Sequence, residues 1–315
     1  LAETMVMTLR DKPDNAGSMV QITTRFAPSP TGFLHLGHAC SAIFSHDFAR
    51  LQGGQFILRI EDIDRGRCRL EFEQALLEDL TWLGLTWRLP VRRQSECMTD
   101  YASALGILEE KRLLYPCFCT RREILDQVTA SGQAPHGSKE WVYPGTCRSL
   151  TPSVRHDRMM GGEVFSLRLD LSRALAMTGA LSWFDERQGW VRVDLAGVGD
   201  VVLARKDVPA SYHLAVTVDD HLQGVTHVTR GEDLFASTHI HRLLQALLGL
   251  DTPKYRHHPL LTDSQGKRLA KRDGAVSLRQ LRQKGVDPET VRRQANDWFN
   301  LMPLGQKNKV NPPEP

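Results

Sequence analysis

Two histidines, His35 and His38, flank Gly37 where a loop turns into a helix in the run Arg25-Phe26-Ala27-Pro28-Ser29-Pro30-Thr31-Gly32-Phe33-Leu34-His35-Leu36-Gly37-His38. A junction of this kind can handle phosphate. A helix N-terminus offers unpaired N–H groups and partial positive charge, glycine lets the backbone come close, and imidazoles can donate to charge developing on a phosphoryl group. Far along the chain, Ser264-Gln265-Gly266-Lys267-Arg268-Leu269-Ala270-Lys271-Arg272 gathers four cations in a polar loop. Those cations could neutralise a leaving pyrophosphate, or they could form no more than a solvated charged face. A third group is Cys117-x-Cys119 with Cys147 further on. Thiolates suit Zn²⁺, and donors from one tight turn and one distant segment can close a tetrahedron. On spacing alone His136 is a candidate for the fourth donor, and the three thiols could instead be buried cysteines. Cys40, Cys68 and Cys97 lack such partners and read as packing residues.

The elements that must hold these groups follow an α/β pattern. Residues 1–20 are polar and without periodicity, and read as a loose tail. From Gln21 come a short apolar entry, the loop with the histidines, and a helix from about His38 to Leu51 that stops at Gly53-Gly54. Phe56 to Ile60 reads as a buried strand ending in Glu61-Asp62-Ile63-Asp64-Arg65, and a helix follows with Phe72, Leu76, Leu80 and Leu83 on one stripe. This alternation favours parallel βαβ units, whose ligands sit beyond the carboxyl ends of the strands. The texture changes over 115–199, which holds the cysteines, a Gly/Pro/His-rich piece and two short alternating runs, and is expected to be an insertion. The pattern resumes over 200–262 with Val201 to Ala204, a strand at Val225 to Arg230, and a helix carrying Ile240, Leu243, Leu244 and Leu247 before Gly249. The expected fold is thus a Rossmann-type parallel sheet, 21–114 and 200–262, split by a zinc-bearing insertion. Residues 263–315 add the basic loop and a short helical segment. No internal repeat is visible.

The chain has 315 residues, with 40 Lys plus Arg against 37 Asp plus Glu, so charge alone does not announce a nucleic-acid binder and any RNA contact must be local. No apolar run reaches the length of a spanning helix, and the N-terminus mixes Asp11, Lys12, Asp14 and Asn15 where a secretory segment would be apolar. A membrane role is not expected. A reducing cytoplasm is.

His35-Leu36-Gly37-His38 and Arg268-Leu269-Ala270-Lys271-Arg272 resemble the two signature sequences of class I aminoacyl-tRNA synthetases. Arg25 to Gly32, Leu58 to Asp64, Tyr212-His213-Leu214-Ala215 with Val218-Asp219-Asp220, and Gly224 to Glu232 are similar to glutamyl-tRNA synthetases, over most of residues 21 to about 275. Only 44 residues, 272 to 315, follow Lys271, which leaves no room for an anticodon-binding domain. That points to the truncated paralogous family, the glutamyl-queuosine tRNA(Asp) synthetases. The resemblance implies a ligase that activates L-glutamate with ATP, assisted by Mg²⁺, and attaches it to the queuosine base in the anticodon of tRNA(Asp).

It also implies roles for residues. Arg25, Phe26, Ala27, Pro28, Ser29, Glu61, Tyr212 and Arg230 would bind glutamate, with Glu61 answering the ammonium. His35, Gly37, His38, Arg268 and Lys271 would bind ATP, with His35, His38 and Lys271 catalytic. Cys117, Cys119, Tyr143 and Cys147 are similar to that family's zinc site, which selects Tyr143 as the fourth donor to one structural Zn²⁺. The basic loop departs from the usual pattern: Arg268 stands for a lysine and Ala270 for a small hydroxyl residue, removing one phosphate hydrogen bond while Lys271 remains.

Overall fold

The computed structural model describes residues 21–130, 142–261 and 276–300. The tail 1–20, His136 and the basic loop with Lys267, Arg268 and Lys271 lie outside the described residues.

The chain runs through β1 (Thr23–Phe26), α1 (Leu36–Leu51), β2 (Gln55–Ile60), α2 (Leu70–Trp82), β3 (Arg88–Arg93), α3 (Met98–Glu110), β4 (Leu114–Cys117) and α4 (Arg121–Ala130). It continues with α5 (Pro152–Met160), β5 (Ser166–Leu169), α6 (Leu171–Thr178), β6 (Ser182–Asp185), β7 (Gly189–Arg192), β8 (Val202–Ala204) and α7 (Tyr212–Leu222). The last elements are β9 (His227–Gly231), α8 (Phe235–Leu248), β10 (Lys254–His258), α9 (Leu278–Gln283) and α10 (Pro288–Asn300).

Parallel pairing links β1, β2 and β3 in one sheet, and β9, β10 and β6 in another. The two halves meet side by side. Thr226 N–H donates to the Thr23 carbonyl at 3.0 Å, and Thr23 N–H donates to the Thr226 hydroxyl at 2.8 Å. Ile57, Trp183, Val225, Val228 and Tyr255 form one buried cluster spanning this junction. Helix α1 packs Ala39, Cys40, Ala42 and Ile43 inward, where α2 sets Leu76 and Leu80 with Leu83 beyond its end, as the stripe in the sequence requires. Each such fully buried leucine contributes about 1.5–3 kcal/mol. Gly54 is needed where α1 turns into β2, since a Cβ there would lie 2.3 Å from the Ile22 carbonyl oxygen.

The span 115–199 divides in a way that its texture does not reveal. Strands β4 and β5 pair antiparallel with each other, and β5 pairs antiparallel with β8, so the run Val201 to Ala204, expected in the resumed parallel sheet, belongs to this small sheet instead. Conversely, the β6–β7 hairpin, expected within the insertion, extends the parallel sheet beside β10. Short alternating runs carry no information on their partner strand, which explains both differences. The small sheet is not a separate body. Leu169, Leu171, Ala174 and Leu203 are buried in one core with Leu214, Ala215 and Val218 of α7 and Leu243 of α8.

The C-terminal helices pack back on the first half. Leu278, Val291 and Ala295 are buried with α1 and α2, and Arg292 bridges Asp47 at 3.1 Å and the Leu83 carbonyl at 2.9 Å. No helix among the described residues is long and apolar enough to cross a membrane.

Candidate active site

A cleft of about 370 Å³ opens where β1, β2, β9 and β10 end. That is within the range of small-molecule sites. Its wall holds Arg25, Phe26, Ala27, Pro28 and Ser29 from β1 and the loop after it, and His35, Gly37 and His38 at the start of α1. Glu61 follows β2, Tyr212 opens α7, and Arg230 comes from β9. Every described residue expected to touch glutamate or ATP is therefore in one place. The described chain leaves the cleft at Leu261 and resumes beside it, where Ser277 forms a bridge with His35 and Leu278 N–H donates to the Leu34 carbonyl at 2.8 Å.

The α1 start fixes the chemistry of its imidazoles. His35 caps the helix, its Nδ1 accepting Gly37 N–H at 3.1 Å, while His38 Nδ1 accepts His35 N–H at 3.2 Å. An imidazole nitrogen that accepts carries no proton, so each ring keeps its hydrogen on Nε2. Both histidines are thereby set as Nε2–H donors, with ring centroids 3.9 Å apart.

Beneath Arg25 and Glu61 lies a buried network of charge. Arg25 Nε donates to Asp220 at 3.2 Å and its Nη1 to the Thr229 carbonyl at 3.0 Å. Arg59, fully buried, reaches Asp220 at 2.8 Å, Glu61 at 3.5 Å and Asp219 at 3.7 Å. Asp219 also accepts from Arg92 at 2.7 Å, Gln94 at 2.8 Å and the Tyr101 hydroxyl at 3.0 Å. Burial would raise the Asp220 carboxyl, but Arg25 and Arg59 outweigh it and hold it below the usual range. For Glu61 burial wins: its carboxyl is pushed up to about 7 against the pull of Arg59 and Arg25. An ammonium arriving in the cleft would restore its charge, so Glu61 is suited to receive a cation.

Arg59, Asp219 and Asp220 stand in the sequence as an ion-pair candidate and as family words, without assigned roles. Their signal is two adjacent carboxylates following Leu214, Ala215, Val216 and Val218, all buried on α7. The cleft also includes Ser41, His258 and Trp298, which spacing does not single out. Ser41 hydrogen-bonds His258 at 3.0 Å, and Trp298 from α10 sits edge-on to the same ring at 5.3 Å.

A second cluster lies on the small sheet. The Cys117, Cys119 and Cys147 sulfurs fall within 4.8 Å of one another. Tyr143 joins them: its hydroxyl is 3.4 Å from Cys117 and 4.0 Å from Cys119, and it accepts Cys147 N–H at 2.8 Å. Tetrahedral zinc with Zn–S near 2.3 Å requires donors roughly 3.8 Å apart, so this spacing fits such a cation. Burial pushes the Cys119 thiol up to about 12, whereas at Cys147 burial is outweighed by the Phe118 N–H and the Tyr143 hydroxyl, which hold that thiol below its ordinary value. A thiolate at Cys119 is therefore the one that calls for a metal ion to displace its proton. The Arg168 guanidinium lies 3.9 Å over the Tyr143 ring and packs it in place.

Residues 21–297 match the family model described as tRNA synthetases class I (E and Q), catalytic domain. The chain is 50% identical over 275 residues to a glutamyl-Q tRNA(Asp) synthetase of Rhodobacter capsulatus, covering 86% of this chain and 98% of that protein. It is 39% identical to a glutamate–tRNA ligase of Aquifex aeolicus, covering 87% of this chain and 56% of that one. Among solved structures, a glutamate–tRNA synthetase from Elizabethkingia anophelis superposes with a TM-score of 0.70 at 32% identity, over 81% of this chain and 53% of that chain. The chain thus spans about half the length of the solved structures it matches.

Proposed function

The chain belongs to the family of class I tRNA synthetases for glutamate and glutamine, which are ligases, and on that premise we propose that it activates L-glutamate with ATP and passes the glutamyl group to the queuosine base of tRNA(Asp). The observation that carries the reading is the cleft in which a cation-seeking carboxylate, Glu61, stands with Arg25, Arg230 and Tyr212 next to two preset imidazole donors.

In this reading, an oxygen of the glutamate α-carboxylate attacks the α-phosphorus of ATP, the bond to the β-phosphate bridge breaks, and pyrophosphate leaves with the electron pair. The carboxylate is already a competent nucleophile, so the residues align and stabilise rather than abstract a proton. Glu61 takes the α-ammonium, and Arg25 and Arg230 supply cations for the two carboxylates. His35 and His38 donate Nε2–H to phosphate oxygens. Lys271, with Arg268, would neutralise the departing pyrophosphate together with Mg²⁺. Cys117, Cys119, Tyr143 and Cys147 would hold one structural Zn²⁺, since four protein donors leave no open position. The acceptor is argued from the name of the Rhodobacter relative, which this chain covers almost end to end. Unpaired thiols and a tRNA substrate both suit a reducing cytoplasm.

Glutamate-dependent pyrophosphate exchange without tRNA tests activation. His38→Ala and Lys271→Ala should each lose two to three decades in rate, about 2.7–4 kcal/mol, while folding normally. Unchanged exchange in either variant removes that residue from the assignment. The site of labelled glutamate then decides the acceptor: the anticodon stem-loop of queuosine-containing tRNA(Asp) supports the reading, and the terminal adenosine of a tRNA replaces it with 3′-end charging.

A further inference from the structure

The Arg230 guanidinium is held from within the protein on three sides. Its Nε donates to His257 Nε2 at 3.2 Å, its Nη1 to His241 Nδ1 at 3.3 Å, and its Nη2 to the Thr238 hydroxyl at 2.5 Å. A guanidinium has donors only and stays protonated. Both imidazole atoms that face it must then be bare acceptors, which fixes the tautomer of each ring. For His241 the proton goes to Nε2, 3.1 Å from His213 Nδ1. For His257 it goes to Nδ1, 2.7 Å from Asp185 Oδ2.

Asp185, at the end of β6, is completely buried and cannot swing away. Its Oδ1 accepts the N–H groups of Arg187 at 2.9 Å and Gln188 at 3.1 Å. Burial would raise its carboxyl, but the His257 and Arg187 donors outweigh that and hold it below the usual range. Burial lowers His257, against the pull of Asp185, which keeps the ring neutral. The groups around His257 are Asp185 from β6, Arg230 from β9, Tyr255 stacked at 6.0 Å and His258 on β10, Arg187 on the hairpin turn, and Thr238 from α8.

We propose that Asp185 is a positioning residue for amino-acid binding: through the Nδ1–H of His257 it keeps Nε2 as an acceptor for Arg230, and so aims the guanidinium at a carboxylate of the substrate. This rests on the reading that the cleft takes glutamate. A purely structural role for Asp185 would lie in tying the hairpin turn to β10, through the Arg187, Gln188 and His257 N–H groups. The two roles separate when Asp185→Asn is read beside His257→Gln, which keeps the backbone N–H at 257 and its tie to Asp185. The asparagine oxygen can still accept from the Arg187 and Gln188 N–H groups, but its NH₂ then faces both His257 Nδ1 and the His257 backbone N–H. The ring must move its proton to Nε2 to accept, and that proton meets Arg230 Nε–H. Donor against donor displaces the guanidinium while the turn survives, as a wrong tautomer does in a serine-protease triad.

The test combines exchange kinetics with the nitrogen NMR signature of the His257 tautomer. Asp185→Asn should raise the KM for glutamate about 10- to 100-fold, leave the KM for ATP unchanged, and move the His257 proton from Nδ1 to Nε2. His257→Gln, whose carboxamide can donate to Asp185 and accept from Arg230, should stay within about threefold of the parent KM. A parent protein with His257 protonated on Nε2, or an Asp185→Asn protein with the parent glutamate KM, overturns the proposal. Should Asp185→Asn fail to fold, the parent tautomer and His257→Gln still decide it. A parent protein without glutamate-dependent exchange would instead remove the functional reading, while the tautomer measurement would still show whether Asp185 sets the His257 ring.

Discussion

The cleft and the cysteine cluster solve the burial of polar groups in opposite ways. In the cleft, charges answer one another across elements: Arg25 and Arg59 meet Asp220, and Arg59 and Arg92 meet Asp219. In the cysteine cluster, like donors face like donors, with Cys119 against Cys147 at 3.5 Å and the Tyr143 hydroxyl within reach of two thiols. A network of mutually paired ions holds its shape before any ligand arrives. A cluster of thiols and a phenol gains its counter-charge only from a cation. The first is a cleft wall already braced by its own ions, and the second a set of donors spaced as a metal site would need.

The contrast can be broken most severely at Arg59. Replacing it with methionine removes the cation that Asp219 and Asp220 share, leaving them Arg92 and Arg25 alone, and urea unfolding should show a loss of about 3–5 kcal/mol. A loss near zero would mean that the network is not held by its charges. Next in size is metal removal. A chelator should raise hydrogen exchange around Cys117 and Cys147 while the amides of β1 and β9 stay protected, and Tyr143→Phe should weaken zinc uptake; global unfolding on chelation would show that the two regions are not independent.

A smaller effect comes from the buried histidines behind Arg230. Burial lowers His213 to about 4, below its ordinary 6.5, and His241 well below that value. The unfolded chain therefore binds more protons in this window, so stability should fall as pH drops from about 6.5 to about 4. Thermal melts across that range check the sign. The smallest is at Glu61, whose carboxyl at about 7 must ionise to receive an ammonium. Glutamate affinity should rise by about tenfold between pH 6 and pH 8, and a flat calorimetric profile would exclude Glu61 as the ammonium site.

Much of this is legible in the sequence because it is local. Gly37 N–H lies two residues from His35 and His38 lies three away, so the helix start alone sets both imidazoles. The α2 stripe and the stop after Leu248 at Gly249, with φ of 70°, are equally short-range. The pairing of the small strands is not legible: β8 is expected in the parallel sheet and β6 in the insertion, and each lies in the other place.

Residue types and near-neighbour spacing determined that this chain has imidazole donors at a helix start, a thiol cluster and a βαβ scaffold. Only the tertiary structure decided which distant groups meet: Arg25 finds Asp220 across 195 positions, and His257 finds Asp185 across 72. The physical reason is that a side chain's ordinary chemistry travels with its residue, whereas its pKa, tautomer and aim depend on low-dielectric neighbours that only folding brings within a few ångströms.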